Sequence, residues 1–501
     1  MPYPARLPLE ILNAESGEFT KVKPHLERIS LLTEGGYKLR DKLADFLVQR
    51  PGEELGVYEN RLSKFSYSNE LGGAISQLIA KFSNGQVHVD SSDPFWAEFR
   101  ADTNGMGRTE KDLVSKVLLE IVKYGSVFFQ ADKEFSEVRP LNRAQEEQIS
   151  AKPKLLLHSA LQVPMWAEEN GKIQWIKIYQ AVEAVSPIAK PRTKVTWTFV
   201  DTESVATYSA FVRFNRHGQI AAQVDEEGRD ISPIGKDAGV PLESEVMHGF
   251  GECPITRLTL EDDLWSGNQA YPLAEEALSL ECHRYALESA AYMQRTFRRP
   301  QLAKDTLDVV FEEDAAPLPT GLQYVQELDS FEWNEPQGHI ITHISATLEE
   351  TKKAIRAIVS VGGAYVQEGA VEASGVSKQM DFEIEENRLE AFGHRVTGAL
   401  NTAYALIARA SGRIPIEVSG LDDFGKGRLP DYLAALEGIA RIDFGAISQV
   451  LSPTLFMMVR ERLINYLFTN LSVEQRRVVE VELTQLSVLA DINPSDTLPG
   501  E

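Results

Sequence analysis

Apolar positions in this chain follow two different periods, and the change from one to the other divides it. Up to about residue 125 and again beyond 265 they recur every three or four residues, the spacing of a helix with one buried face. Between about 155 and 260 they alternate with polar ones, as in half-buried strands, with turn residues between the runs. The first part reads as loop, helix and loop over about fifty residues, with Leu39, Leu43, Phe46 and Leu47 on one helical face. A helix ending near Ser83 to Gly85 follows. In "RTEKDLVSKVLLEIVKYGSVFFQAD" the signals are sharper. Thr109 predicts an N-cap, Leu113, Val117, Leu118 and Ile121 form the apolar stripe, and Gly125 stops the helix before the strand "SVFFQ". In the alternating region Asn170–Gly171 predicts a tight hairpin, because both residues tolerate the positive φ angles it requires. A second hairpin is predicted across His217 and Gly218.

The later helices are longer. From Gly267 to Arg299 two heptad rows run side by side, Tyr271, Leu278, Tyr285 and Tyr292 in one, Leu273, Leu280 and Leu287 in the other, which predicts two helical neighbours. A mixed β region including "HIITHI" follows, and then Thr347 and Glu350 predict a capping box opening a helix that Gly362 and Gly363 close. Residues 376–410 carry Met380, Ile384, Leu389, Phe392, Val396, Leu400, Tyr404 and Ile407 at helical spacing, a second long helix of about 50 Å. Between these two helices lies "VGGAYVQEGAVEASGVSKQMDFE", rich in glycine and small residues and long enough to reach away from the body. Two more helices are predicted before a polar tail.

At 501 residues the chain exceeds a single ordinary core, so two or more substructures, interleaved or in series, are expected. Its 43% hydrophobic and 25% charged residues are those of a globular protein. No apolar run approaches the ~18 residues of a membrane span, and the N-terminal stretch lacks a basic region followed by an apolar one, so a cytosolic origin is expected. The net charge of −23 argues against capture of nucleic acid by the whole surface. A local contact, or passive passage of a nucleic acid, is compatible with it.

Candidate chemistry is sparse. There is no Walker A loop, HExxH, GxSxG or dinucleotide-binding glycine pattern. Cys253 and Cys282 read as packing residues, without the spacing of a zinc site. His339 and His343, four apart, and the cluster Glu261, Asp262 and Asp263 have the residue types of a metal site. Each also reads as ordinary structure, the first as histidines in an apolar strand, the second as a solvated turn. Lys352, Lys353, Arg356, Lys378 and Arg388 bracket the glycine-rich stretch, either to meet phosphates or as a solvated helix face.

The segment "FGECPITRLTLEDDLWSGNQAYPLAEEALSLECHRYALESAAYMQRTFRRPQLA" resembles the portal, or head–tail connector, proteins of tailed bacteriophages. It has a proline-led strand, an acidic loop, "PLA", a long helix with a central tyrosine and a proline-marked strand. "YENRLSKFSYSNELGGAISQLIAKF" is similar to the portal N-terminal region and "EASGVSKQMDFEIEENRLEAF" to the start of the long inner helix; the resemblance spans about residues 55 to 410. It implies an α+β, mainly α fold with wing, stem, clip and helical crown. The expected divisions are an N-terminal wing (1–154), a β-rich clip with adjoining wing strands (155–262), a stem helix placed after the clip (263–300), an inner wing with channel loop and long helix (301–429), and a crown (430–501). One departure stands out: no separate stem helix precedes that clip.

For function the resemblance implies a non-enzymatic ring, usually a dodecamer, at a capsid vertex of a virion assembled in the host cytoplasm. Such a ring passes double-stranded DNA during packaging and ejection, and it docks terminase, the head–tail adaptor and the major capsid protein, with no cofactor, metal or membrane. Residues Gly362, Gly363, Tyr365, Gln367, Gly369, Ser374 and Gly375 fall where the family has its channel loop. Arg356, Lys378 and Arg388 become DNA-facing candidates. Tyr271, Leu278, Leu280, Tyr285, Leu287 and Tyr292 become stem-packing residues. A dodecamer would carry on the order of −280 formal charges at −23 per copy, and a wall holding part of it repels phosphate. Two other readings stand beside this one: a capsid-associated or scaffold-like oligomer without DNA contact, and a metal-assisted hydrolase using the acidic cluster and the histidine pair.

Overall fold

The computed structural model describes residues 3–83, 87–89, 91, 93–133, 152–186, 189–215, 220–225, 229–231, 239–291, 296–297, 331–332, 339–360 and 375–421. Of these, 50% are helical and 26% are in strands, a mixed α/β chain. Three long strands lie between residues 172 and 214.

The N-terminal part contains β1 (Arg6–Leu7), α1 (Leu9–Asn13), α2 (Gly17–Glu34), α3 (Gly36–Asp41), α4 (Leu55–Ser63), α5 (Glu70–Phe82), β2 (His88–Val89), α6 (Pro94–Ala101) and α7 (Glu110–Tyr124). The predicted N-cap Thr109 of α7 is present, in a capping box completed by Asp112 at N3, and Gly125 ends the helix at φ 72°. A Cβ there would stand 2.8 Å from the Trp265 ring, so glycine is needed for space as well as for conformation. Where the pattern reads as loop before Leu31, the structure has the 18-residue α2, capped by Ser16 and burying Phe19, Leu26, Ile29 and Leu32. Pro24 inside it hides the helix from a pattern reading, since proline removes one internal hydrogen bond. Tertiary burial of that face outweighs the loss.

Then come β3 (Ser126–Lys133), β4 (Pro153–Ser159), β5 (Met165–Glu169), β6 (Lys172–Ser186), β7 (Ala189–Val200), β8 (Ser204–Phe214), β9 (Ile220–Val224), β10 (Val240–Met247) and β11 (Ile255–Thr259). Asn170 and Gly171 join β5 to β6 at φ 52° and 74°, the predicted hairpin. β8 pairs antiparallel with β9, as the second hairpin requires. The 155–262 region is not self-contained. A seven-stranded sheet runs β1-β10-β8-β7-β6-β5 with β9 beside β8, and a three-stranded sheet runs β11-β3-β4, so strands from before residue 154 complete both.

The remaining described elements are α8 (Ser266–Ala291), β12 (Thr296–Phe297), β13 (Phe331–Glu332), α9 (His339–Ser360), α10 (Gly375–Ser411) and β14 (Val418–Ser419). The expected β region at "HIITHI" is helix: Ile341, Ile344, Leu348, Thr351, Ile355 and Val359 turn inward at helical spacing, so α9 starts at His339 and Thr347 lies inside it. Its β-branched residues suggested a strand because propensity is weaker than packing.

Strand parity explains the layers. Val127, Phe129 and Ala131 of β3 enter the main core with residues of α7 and α10, whereas Phe128 points the other way and packs with Ile176, Ile178 and Val200 of the large sheet. The opposite face of that sheet, with Val195, Trp197, Ala206 and Tyr208, packs on Leu12 of the N-terminal arm. Lys177 fastens the arm. It is 1% exposed, and its Nζ donates to the carbonyls of Leu12 (3.1 Å), Ile11 (3.3 Å) and Ala14, capping the C-terminal end of α1. Burial pushes its pKa down to about 8.

His158 supplies a pH dependence. Its Nε2 lies 2.8 Å from Gln130 Oε1, a bond that the neutral ring makes as donor, and burial pushes its pKa down to about 4 from 6.5. The unfolded chain therefore binds the proton first as pH falls, and the stability present above pH 6.5 is lost on the way to 4. A melting series across that window should show a falling Tm, and the fall should be shallower in His158→Gln.

Candidate functional site

Helices α8 and α9 run antiparallel, and together with α10 they form the part of the chain that the sequence marks for function. Three observations set the direction. Arg388 bridges Ser266 at the start of α8 and Ile358 at the end of α9, Lys352 of α9 meets Glu281 further along α8, and beyond both helices Thr296 of β12 pairs with Glu332 of β13. At ~1.5 Å per residue the 26 residues of α8 extend about 39 Å, and the 37 residues of α10 about 55 Å. The near half of the pair is buried and the far half is not: Leu348, Ile355 and Val359 are at 0% exposure, while Ile340 is at 64%.

The face of α8 seated in the body is lined by small residues. Ala270, Ala274, Ala277, Leu278 and Cys282 are buried, and Gly267 lies so close to α7 that a Cβ would come within 2.4 Å of the Val122 carbonyl oxygen. Small side chains let the helix axes approach, so the heptad rows flank the contact. Tyr271 is partly buried, with its hydroxyl 2.8 Å from His25 Nδ1, Leu278 is in the core and Leu280 packs against it. Tyr285 is 43% exposed beneath the Lys64 ammonium, Leu287 is 39% exposed, and Tyr292 lies outside the described residues.

Three polar joints fix the helices. Glu281, 2% exposed, accepts from the backbone N–H of Ser68 (2.7 Å) and its hydroxyl (2.6 Å), and Lys352 Nζ stands 2.9 Å away. This joins α8, α9 and the lead-in to α5 in a low-dielectric site, where a paired charge is favourable and an unpaired one costly. Arg356 forms a two-pronged contact with Glu70 of α5, at 2.9 and 3.0 Å. Arg388 of α10 donates to the Ile358 carbonyl and to Ser266 Oγ, both at 2.9 Å, with Phe392 beside it. Burial draws its pKa below the ordinary guanidinium range, against the opposing pull of Asp263. A fourth joint at the other end of α10 links Tyr404 to Glu110 (2.6 Å), which also takes Arg100 Nε (2.6 Å).

Two of the basic candidates, Arg356 and Arg388, are therefore engaged within the chain. Lys378 lies in the first turn of α10, and Gly375 opens that helix. Gly362, Gly363, Tyr365, Gln367, Gly369 and Ser374 fall in 361–374, outside the described residues, as does the expected crown from 430 on. Glu261, Asp262 and Asp263 form the turn into α8, where Glu261 pairs with Arg395 and the Asp262 carbonyl accepts from Gln269. His339 and His343 lie on the exposed first turns of α9. Among the described residues no group of three or more His, Cys, Asp or Glu could hold a metal ion, and no helix is long and apolar enough to cross a membrane. The joint at Glu281 was not visible in sequence, because a lone Glu within a helix carries no signal of burial.

No family model matches the chain, and no curated protein matches it. Chains of solved structures are similar to it, among them three from related particles. One is from the virion of a native gene transfer agent particle, at 12% identity and TM-score 0.39 over 84% of this chain and 97% of that one. A second is from the neck of the empty particle computed with C6 symmetry, at 12% and 0.36 over 78% and 89%. The third is from the neck of the native particle computed with C12 symmetry, at 11% and 0.35 over 82% and 94%. All three chains belong to gene transfer agent particles, and two of those structures are of the neck.

Proposed function

We propose that this chain is the subunit of a portal-type ring at a capsid vertex, a conduit for double-stranded DNA and a docking platform for the packaging motor and the head–tail adaptor. The observation that carries the reading is the order of the chain around α8 and α9. A long helix leaves the body, a segment containing the β12–β13 pair follows, an antiparallel helix returns, and residues 361–374 lead into the 37-residue α10. Stem helix, clip, stem helix, channel loop and inner wing helix is the succession that the portal resemblance implies. On this reading the stem is the α8–α9 pair, α8 precedes the clip, and the clip is the segment 292–338 between them. The sheets of 155–262 then belong to the wing, which removes the departure noted in the sequence.

The joints around α8, α9 and α10 suit that role. A conduit under load needs its wall helices fixed to the body, and buried charge pairs fix them with directional contacts. The role is mechanical, and chemical energy would come from a separate motor. Negative-stain microscopy of the purified chain is the test. Closed rings with a lumen wide enough for a duplex are expected; rings or clusters without a lumen would favour the scaffold reading, and solitary compact particles at every concentration would overturn the ring.

A further inference from the structure

Strand β11 is an edge of the three-stranded sheet. The Leu260 N–H donates to the Gly125 carbonyl (2.8 Å) and the Ala131 N–H to the Pro254 carbonyl (2.9 Å), so the even-numbered residues of this strand exchange bonds with β3. The backbone N–H and C=O of Arg257 and Thr259 consequently point away from the sheet. On that side lies a cleft of about 840 Å³ between the start of β6 and the second half of α10, lined by both faces of β11.

The cleft holds polar groups that lack partners. Arg257 lies 4.7 Å from the Trp166 ring and 5.8 Å from Phe128, with its side chain only 25% exposed. Its counter-ion Glu168 is 3.7 Å away, beyond hydrogen-bond reach, and its buried Nε has no partner among the described residues. On the opposite face Thr256 is 9% exposed and its Oγ1 is likewise without a partner. At the mouth Glu252 is paired with Lys172 (2.9 Å) and with Arg409. Lys172 and Arg409 are thus answered by Glu252, while the carboxylates that act on Arg257, Glu168 and Glu18, make no hydrogen bond to it. A largely buried guanidinium without hydrogen bonds is costly, and a carboxylate with two parallel acceptors is the group that best relieves it.

We propose that the open edge of β11 receives an extended segment of a partner protein as an added strand, with an Asp or Glu side chain of that segment on Arg257. A nucleic-acid phosphate would answer the guanidinium but not the strand edge, whose alternating donors and acceptors match a peptide backbone. Neighbouring side chains of the added strand fall alternately toward Trp166 and toward Thr256.

Panning a display library of random linear peptides against the full chain tests this. The expected selection is one acidic residue at a fixed place among alternating β-forming residues, with slowed amide exchange at Arg257 and Thr259 when the selected peptide is added. Affinity should fall about tenfold or more in Arg257→Gln, and equally when the peptide's acid becomes its amide. Should Arg257→Gln fail to fold, acid and amide peptides compared on the native chain still decide. No enrichment, enrichment without an acid, or unchanged exchange at those two amides would overturn the proposal. Self-association of the chain that disappears in Arg257→Gln would also overturn it, by making the occupant a second copy. Ring formation does not enter any of these readouts, so the two hypotheses fail separately.

Discussion

Replacing Lys352 by methionine is expected to destabilise the fold by about 3–5 kcal/mol, among the largest effects of any single substitution in this chain. Glu281 is 2% exposed, and its two oxygens are shared between Ser68 and Lys352. Methionine keeps the volume but leaves a carboxylate in a low-dielectric site with only the two Ser68 donors. Urea unfolding should show a lower midpoint with unchanged slope. The double variant Glu281→Gln with Lys352→Met removes both charges while keeping an acceptor for Ser68, so it should recover more than half of the loss. If the single variant melts with the native chain, the joint contributes nothing and the α8–α9 pair is held by its apolar face alone.

Leu287→Glu and Tyr285→Glu should each abolish rings while leaving the subunit's own stability within about 0.5 kcal/mol, the range of ordinary surface substitutions. The heptad rows of α8 run from the body outward, and their burial runs out with them: Leu278 is at 0%, Leu280 is partly covered, Tyr285 is at 43% and Leu287 at 39% exposure. On the ring reading, these exposed apolar residues continuing a buried row are the surface that a neighbouring subunit covers. In a closed ring each copy presents the patch once, so a charge desolvated at every interface is repeated around the circle. Sedimentation and microscopy of the two variants beside the native chain measure the outcome. Intact rings in both would remove this part of α8 from the subunit contact and leave the buried half of the pair as structural support.

These two results bear on separate layers of the proposal. Lys352 and Glu281 concern how one subunit holds its helices; Tyr285 and Leu287 concern how subunits meet. The arginines offered by sequence as DNA contacts belong to the first layer. Arg388 ties the end of α9 to the start of α8, and Arg356 ties α9 to α5, so substituting either is expected to act on the helix joints.

Local chemistry was legible. Thr109 and Gly125 bound α7 as the sequence predicts, Asn170 and Gly171 turn the β5–β6 hairpin, and Leu389, Phe392, Val396, Leu400, Tyr404 and Ile407 are all buried along α10. Caps, tight turns and a long periodic stripe are decided by residues a few positions apart, so one strand of text contains them. The extent of α2 and α9 was less legible, because Pro24 and the β-branched run at Ile340 and Ile341 argue locally against helices that burial then enforces.

By itself, then, the sequence determined where most of the helices and hairpins lie, which stretch separates the two later helices, and that the chain carries a net charge of −23. Tertiary structure decided which neighbours each element has. It put the alanine face of α8 against the body, with only the near part of its heptad rows; it carried β3 from the N-terminal part between β4 and β11; and it turned Glu281, Arg356 and Arg388 from apparent surface charges into internal joints. Each of these depends on residues from tens to hundreds of positions apart. The free energy of burying a charge or a face is set by what packs against it, and that partner is not written beside it in the chain.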